Sequence, residues 1–197
     1  MRRRSRRPFR APLSCAALFL LTAAVSATSV IAPTFNELVD GSREIFVGKT
    51  LSRSSQWVDT RDGRAIVTLI TFAVEESLKG GLQAQTSLEF LGGTVEGMTM
   101  TVADMPQFAV GDRDVLFVGD RNAVSPLIGF MHGRFRVWRG GAQGVDTVRM
   151  HDGLPLSATA GLGRTATPGL RGASGLALAD FKSEILFRVR VSAGRVP

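Results

Sequence analysis

The segment 65–78 carries the longest run of alternating apolar residues in the chain, and it constrains the fold more than any other feature. Successive side chains of a strand point to opposite faces. One face of this segment would then carry Ile66, Thr68, Ile70, Phe72 and Val74, and the other would carry Val67, Leu69 and Ala73. The pattern predicts a strand that is buried on both faces early and on one face later, as a strand bending through a barrel would be.

Seven further short segments have the composition of strands and are separated by turn residues. They cover 44–51, 86–91, 97–102, 114–118, 127–131, 134–138 and 145–150. Turns are indicated by Arg61-Asp62-Gly63-Arg64 and by the glycine pairs at 80–81, 92–93 and 140–141. Eight such strands predict a mostly β fold, and we expect a small closed barrel of the OB type, the alternative being a sandwich.

Two helices are expected beside the strands. Thr34 and Glu37 have the spacing of a capping box, which predicts a short helix over about 35–40 that lies on the core. A C-terminal helix near 176–187 is predicted by apolar residues at helical spacing, namely Leu178, Phe181 and Ile185. Because an isolated helix this short is marginal in water, we expect it to dock on the barrel rather than to bind a partner.

The first 27 residues have the three parts of a signal peptide. Six arginines lie within the first ten residues, the apolar run 11–25 follows, and Val25-Ser26-Ala27 offers a cleavage site. The run is shorter than the roughly 20 apolar residues of a spanning helix, which favours cleavage over a membrane anchor. We therefore expect an exported protein, periplasmic or extracellular. Ser5-Arg6-Arg7-Pro8-Phe9 resembles the start of a twin-arginine signal and leaves the export route open.

The chain thus divides into four expected parts. A signal peptide covers 1–27, a β-barrel domain covers 28–156, and the C-terminal helix and tail cover 176–197. Between the last two, the segment 157–175 is rich in Gly, Ala, Ser and Thr and is expected to be a flexible linker.

Removal of the signal peptide changes the composition in two ways. Six of the 24 basic residues precede Thr28 and all 17 acidic residues follow it, so 18 basic residues face 17 acidic ones in the mature chain. This near balance removes the main electrostatic argument for nucleic-acid binding. The single cysteine, Cys15, is also lost, which excludes a disulfide framework, a thiolate metal site and a thiol nucleophile.

Several motifs together resemble those of a group of exported bacterial proteins of unassigned function. They are the segments 45–50, 71–80, 92–93, 106–112, 115–118 and 133–137. The strand that ends in Leu78-Lys79-Gly80 and the order of the strands are also similar to the netrin-like domains of tissue inhibitors of metalloproteases, which are OB-type barrels. Those inhibitors chelate the protease zinc through an N-terminal cysteine, and no cysteine stands near Thr28.

The sequence contains no motif that predicts a cofactor, and no metal site is expected. Its two histidines, His132 and His151, lie nineteen residues apart, so a zinc site would need two carboxylates from elsewhere. Each is interpreted as a turn or surface histidine. Phosphate-loop, dinucleotide and nucleophile-elbow patterns are all missing.

The leading hypothesis is a non-enzymatic β-barrel module that binds a protein or an envelope component. Trp57 and Phe108 are apolar residues in segments expected to be polar loops, where exposed aromatics commonly bind partners; alternatively, both cap the ends of the barrel. A second hypothesis is an exported hydrolase whose carboxylates meet in the fold, for instance Glu75, Asp112 and Asp114. A third is a protease-associated inhibitor or a chaperone.

Overall fold

The computed structural model describes residues 32–61, 63–140, 144–163 and 175–194. The expected signal peptide and most of the expected linker lie outside the described residues. Within these ranges the chain forms two α-helices, α1 (Phe35–Gly41) and α2 (Leu178–Ala193). The strands are β1 (Glu44–Thr60), β2 (Gly63–Lys79), β3 (Gln85–Leu91), β4 (Gly93–Val95), β5 (Met98–Met100), β6 (Arg113–Val118), β7 (Arg134–Trp138) and β8 (Thr147–Arg149).

Six strands form one antiparallel sheet in the order β3-β2-β1-β6-β7-β8, and β4 and β5 form a separate hairpin. The predicted mostly β class is confirmed. The expected closure into a barrel is not observed, because the end strands β3 and β8 do not pair with each other in the described part of the chain. Among the described residues, no helix is long and apolar enough to cross a membrane.

On the outer edge of each end strand, some backbone groups are hydrogen-bonded to other parts of the chain. At β3, the Arg121 guanidinium donates to the Ser87 carbonyl at 2.9 Å, and the Leu91 N–H donates to the Val124 carbonyl at 3.3 Å. At β8, the Val148 N–H donates to the Leu176 carbonyl at 2.9 Å. Such contacts occupy groups that would otherwise be a template for pairing with another chain.

β1 and β2 form a hairpin whose length the sequence did not reveal. The predicted first strand ends at 51 and the polar stretch 52–63 was expected to be a loop, yet β1 continues to Thr60 opposite Gly63. That expectation is wrong because the long alternating strand β2 offers a hydrogen-bonding partner along the whole polar stretch. Polar residues then need only remain exposed, as most of β1 beyond Thr50 is.

The strand expected over 127–131 does not form. Only Leu127 makes an isolated bridge, with Val118, and a 3-10 helix follows at Phe130–Gly133. The chain turns there because Gly129 and Phe130 both adopt positive φ angles, 63° and 57°.

The N-terminal capping box is confirmed. The Thr34 N–H donates to the Glu37 carboxylate at 2.8 Å, and the Glu37 N–H donates to the Thr34 hydroxyl at 3.3 Å. These two bonds satisfy backbone donors that the first helical turn leaves free. α1 then buries Leu38 and Val39 against the sheet.

One face of the sheet is covered by the two helices. We call its buried residues the helical core: Leu38, Val39, Ile45, Val47, Leu78, Val115, Phe117, Phe135, Val148, Leu156, Leu178, Phe181 and Ile185. Phe181 of α2 is fully buried, with its ring 5.1 Å from that of Phe135 and 6.2 Å from those of Phe35 and Phe117. The C-terminal helix therefore docks on the sheet, as expected, although it runs to Ala193 rather than to 187.

The opposite face of the same sheet holds a second group of buried side chains, which we call the cleft core. It consists of Phe46, Ile70, Phe72, Leu88, Phe90, Phe108, Leu116, Val118 and Leu127. β1 and β6 contribute to both cores, since Val47 and Val115 lie on one face and Phe46 and Leu116 on the other. The loop 101–112 and the β4–β5 hairpin partly cover the cleft core and leave an opening between them.

Candidate functional site

The opening above the cleft core is a cleft of about 340 Å³ between β2, the β4–β5 hairpin and the loop 101–112. We call it the Phe108 cleft. Its apolar lining consists of Ile70, Phe90, Leu91, Met100, Val102, Met105, Pro106 and Phe108. Its hydroxyl groups come from Ser55, Thr68, Thr94, Thr99 and Thr101, and Arg53 and Gln107 complete its polar lining. An apolar cavity with a few fixed polar groups is typical of a binding site.

Phe108 closes the inner end of this cleft. Its ring centroid lies 5.3 Å from that of Phe72 and 5.2 Å from that of Phe90, and the Arg134 guanidinium stacks 4.2 Å from it. Only 3% of Phe108 is exposed. The expectation of an exposed ring is therefore wrong, since the loop folds inward and buries the ring in the cleft core.

A buried ion pair holds the loop in this inward position. Arg134 donates from Nε to Asp114 Oδ1 at 2.8 Å and from Nη2 to Asp114 Oδ2 at 3.0 Å. The same Nη2 donates to Asp112 Oδ2 at 2.8 Å, and Nη1 donates to the Gln107 carbonyl. One guanidinium thus joins β6, β7 and both ends of the Gln107–Asp112 turn, which places Phe108 between them.

The two aspartates next to Arg134 have opposite pKa shifts. Burial raises the pKa of the Asp114 carboxyl above its usual range, and the Arg134 guanidinium acts in the opposite direction. Burial also disfavours the charged form of Asp112, but the Ala109 N–H and Arg134 outweigh it and hold the Asp112 pKa below its usual range. Such a divergence is typical of acid–base pairs. Here, however, Asp114 is fully buried and Arg134 occupies both its oxygens.

The third carboxylate of the hydrolase hypothesis, Glu75, lines one open cleft with Asp112 but is bound by a different arginine. Glu75 on β2 receives a fork of hydrogen bonds from Arg113, at 2.7 Å from Nη2 and 2.9 Å from Nε. The three acids Glu75, Asp112 and Asp114 are all bound by arginines, so their arrangement in this state is that of structural ion pairs.

The hydroxyl side of the cleft is closely packed. The Thr68 hydroxyl donates to the Gly92 carbonyl at 2.6 Å and lies 2.9 Å from the Ser55 hydroxyl. Gly93 passes directly over this pair at a φ of 141°. A Cβ there would stand 2.6 Å from Ser55 Oγ and still closer to Thr68 Oγ1, so only glycine fits without a rearrangement.

Trp57 is on a strand, not in a loop as expected. It lies on β1 opposite Ile66, is half-buried, and has the Arg64 guanidinium 4.8 Å from its ring centroid. Its side chain shares a strand face with Ser55, two residues along β1, which places it beyond the outer end of the Phe108 cleft. The structure therefore puts Trp57 and Phe108 at opposite ends of one face rather than in one exposed patch.

The fold brings the two histidines together, which their spacing did not indicate. The ring centroids of His132 and His151 lie 4.8 Å apart in an edge-to-face arrangement. Burial, and then the neighbouring His151, lower the pKa of His132, against the smaller effects of Asp104 and Asp152. Nevertheless, no three His, Cys, Asp or Glu side chains in the described ranges come close enough together to hold a metal ion.

Sequence reasoning missed Arg134, Thr68 and Gly93 as parts of the site. A signal existed for Thr68, which stands on the apolar face of the strand pattern between Ile66 and Ile70, where a hydroxyl needs a partner. Nothing in the sequence around Arg134 marks it as buried. Comparisons of the chain with protein-family models, curated proteins and solved structures find no match.

Proposed function

We propose that the protein is an exported, non-enzymatic module that binds a protein or another component of the cell envelope by accepting an apolar group of that partner in the Phe108 cleft. The observation that carries this proposal is the composition of the cleft: an apolar interior around Phe108 bordered by hydroxyls. Its volume of about 340 Å³ suits a single large side chain or a group of similar size.

Rigidity of the surroundings supports the same function. Arg134 fixes the loop that carries Phe108, and the contact of Gly93 with Ser55 and Thr68 fixes the opposite side. A site that is already in its binding conformation loses less conformational freedom when a ligand enters. Hydroxyls at the border can exchange hydrogen bonds with a partner's backbone, which gives orientation to an otherwise apolar contact.

A charge placed in the cleft tests this proposal. We expect Met100→Glu, which puts a carboxylate in the apolar lining, to abolish the recovery of partners from an envelope extract. Met98→Glu is the matched control, because Met98 lies two residues away on β5, is 52% exposed and does not line the cleft. Recovery of the same partners by both variants, with unchanged melting temperatures, would contradict a role for the cleft.

The hydrolase hypothesis has a separate test. Its carboxylates Glu75, Asp112 and Asp114 all bind arginines, and Asp114 has no access to solvent. The purified protein would be assayed with a panel of ester, peptide and glycoside substrates. Turnover by the unaltered protein that is lost in Asp112→Asn would favour the hypothesis.

The third hypothesis, a protease-associated inhibitor or a chaperone, predicts that the protein co-purifies with a secreted metalloprotease or another client.

The OB-type barrel and the export signal belong to the same proposal. Arg121 and Val124, in the loop that follows β6, hydrogen-bond to the outer edge of the end strand β3. The loop thus crosses from the middle of the sheet to one of its end strands, as it would in a sheet that curves towards a barrel. Export would be tested by following cleavage near Ala27 in a cell fractionation.

A further inference from the structure

We propose a second binding site, independent of the Phe108 cleft, that takes a carboxylated sugar polymer. It is an open cleft of about 720 Å³ near the start of β6, lined by residues of β1, β2, β6, β7 and β8, which we call the cationic cleft. Its basic lining residues are Lys49, Arg113, Arg136, Arg139 and Arg149, whereas its acidic ones are Glu75 and Asp112. The excess of positive charge is concentrated here, since the chain after residue 27 is almost neutral.

The acids of the fold leave part of this positive charge uncompensated. Arg113 is neutralised by Glu75 and Asp146, and Asp146 also lies 3.6 Å from Arg139. Arg136 has only a 3.3 Å contact with Asp112, whose other oxygen binds Arg134.

Two further cations of this cleft, Lys49 and Arg149, have no carboxylate within 4 Å among the described residues. Arg149 donates to the Gly153 carbonyl at 3.1 Å, which leaves its charge unbalanced. An anionic ligand would supply the missing charge.

The cations flank the start of β6 from both faces of the sheet, since Arg136 is opposite Asp114 and the neighbouring Arg113 points to the other face. Lys49 on β1 is opposite Arg113 on β6, and Arg136 on β7 is opposite Arg149 on β8. The cleft that both pairs line has a volume of about 720 Å³. That volume exceeds a single small anion and suits several units of a polymer with repeated negative charges.

Trp138 favours a sugar as the repeating unit. It lines the same cleft, is 51% exposed, and carries the Arg149 guanidinium 4.6 Å from its ring centroid. An indole ring held in this way offers a flat apolar surface to the C–H face of a pyranose. The neighbouring guanidinium forks match carboxylate oxygens, so a uronic acid would meet both features at once.

Titration of the purified protein with polygalacturonate, followed calorimetrically in 50 mM and 150 mM salt, tests this site. We expect Lys49→Gln/Arg136→Gln to weaken binding about tenfold or more, since two charge-assisted contacts are lost. The matched control, Arg61→Gln/Arg64→Gln, removes two exposed charges from the tip of the β1–β2 hairpin and should change the affinity less than twofold. Equal weakening by both pairs, or no binding by the unaltered protein, would overturn the proposal.

Two additional measurements separate the class of ligand and the state of the fold. Polyglutamate and a single-stranded oligonucleotide should bind at least tenfold more weakly than polygalacturonate; equal affinity for either would overturn the sugar assignment. In a Trp57→Phe background Trp138 is the only tryptophan, and its emission should change when polygalacturonate binds. Lys49→Gln alone, which breaks no ion pair, should keep the native melting temperature and still weaken binding.

Discussion

The two faces of the six-stranded sheet are both buried, but they are covered by different means. The helical core is covered by α1 and α2, and every member of it is apolar. On the other face, the cleft core is covered by a loop whose position depends on the buried pair Asp114–Arg134, and it remains open at the Phe108 cleft. Helices can bury a face through side-chain packing alone, whereas a loop needs polar contacts to hold its backbone in place. The loop-covered face is therefore the one that can present a fixed cavity.

The largest loss of stability is expected from a substitution in the helical core. Phe181→Ala should lower the free energy of unfolding by about 3–5 kcal/mol, near the upper end because the ring is fully buried among three other phenylalanines. Phe187→Ala, on the same helix but 69% exposed, should change it by less than about 0.5 kcal/mol. Urea unfolding measures both. Similar losses in the two variants would mean that α2 is not docked as described.

A somewhat smaller loss is expected from the ion pair of the cleft side. Arg134→Met should lower the free energy of unfolding by about 3 kcal/mol, because Asp114 is left buried without a counter-charge. The double variant Asp114→Leu/Arg134→Met should recover much of this loss, since it removes the unpaired charge as well. A double variant as unstable as the single one would show that other contacts of Arg134 dominate.

A substitution beside the hydroxyls that border the Phe108 cleft should reduce stability less than the two preceding ones. Gly93→Ala should lower the free energy of unfolding by about 1–3 kcal/mol, because of the positive φ of 141° and the contacts of the new Cβ with Thr68 and Ser55. Gly97→Ala isolates the backbone contribution, because Gly97 also has a positive φ of 80° but open space around it. Thermal unfolding of the pair therefore gives the cost of the close contact as the difference, and no difference would contradict the tight packing at Gly93.

The smallest expected effect is the dependence of stability on pH that His132 causes. Burial lowers the pKa of His132, so the folded chain favours its neutral form. The resulting stability is fully present above the ordinary histidine pKa of about 6.5 and is lost as the pH falls through the lower folded value, since the unfolded chain binds the proton first. Urea midpoints measured between pH 7.5 and 5 should therefore fall, and less steeply in His132→Gln. An identical slope in that variant would remove His132 as the cause.

The sequence predicted most of the individual elements of the sheet. Alternation placed Ile66, Ile70 and Phe72 on one face; all three are buried, and Ile70 and Phe72 belong to the cleft core. The limits of β7, 134–138, agree with the structure because apolar and charged residues alternate there between clear turns. The errors arose where polar residues lie in a strand, as in the outer half of β1, or where a turn takes positive φ angles at Gly129 and Phe130.

The candidate site was much less accessible to prediction. Phe108 was identified, but with the opposite exposure, because its burial depends on Arg134, twenty-six residues later in the chain. Trp57 was assigned to a loop because the polar residues around it gave no sign of a partner strand. The cationic cleft combines residues of five strands that no spacing rule connects.

By itself, the amino-acid sequence determined the local properties of this protein: the capping box of α1, the apolar face of α2, the alternation of β2 and the positions of most turns. Each depends on residues within a few positions of one another. Only the tertiary structure decided which side chains share a site. Arg134 is paired with Asp114, Thr68 lies under Gly93 and His132 contacts His151 because strand register and loop packing bring distant segments within hydrogen-bonding or ring-contact distance. Such contacts follow from the packing of the whole chain and leave no periodic trace in its sequence.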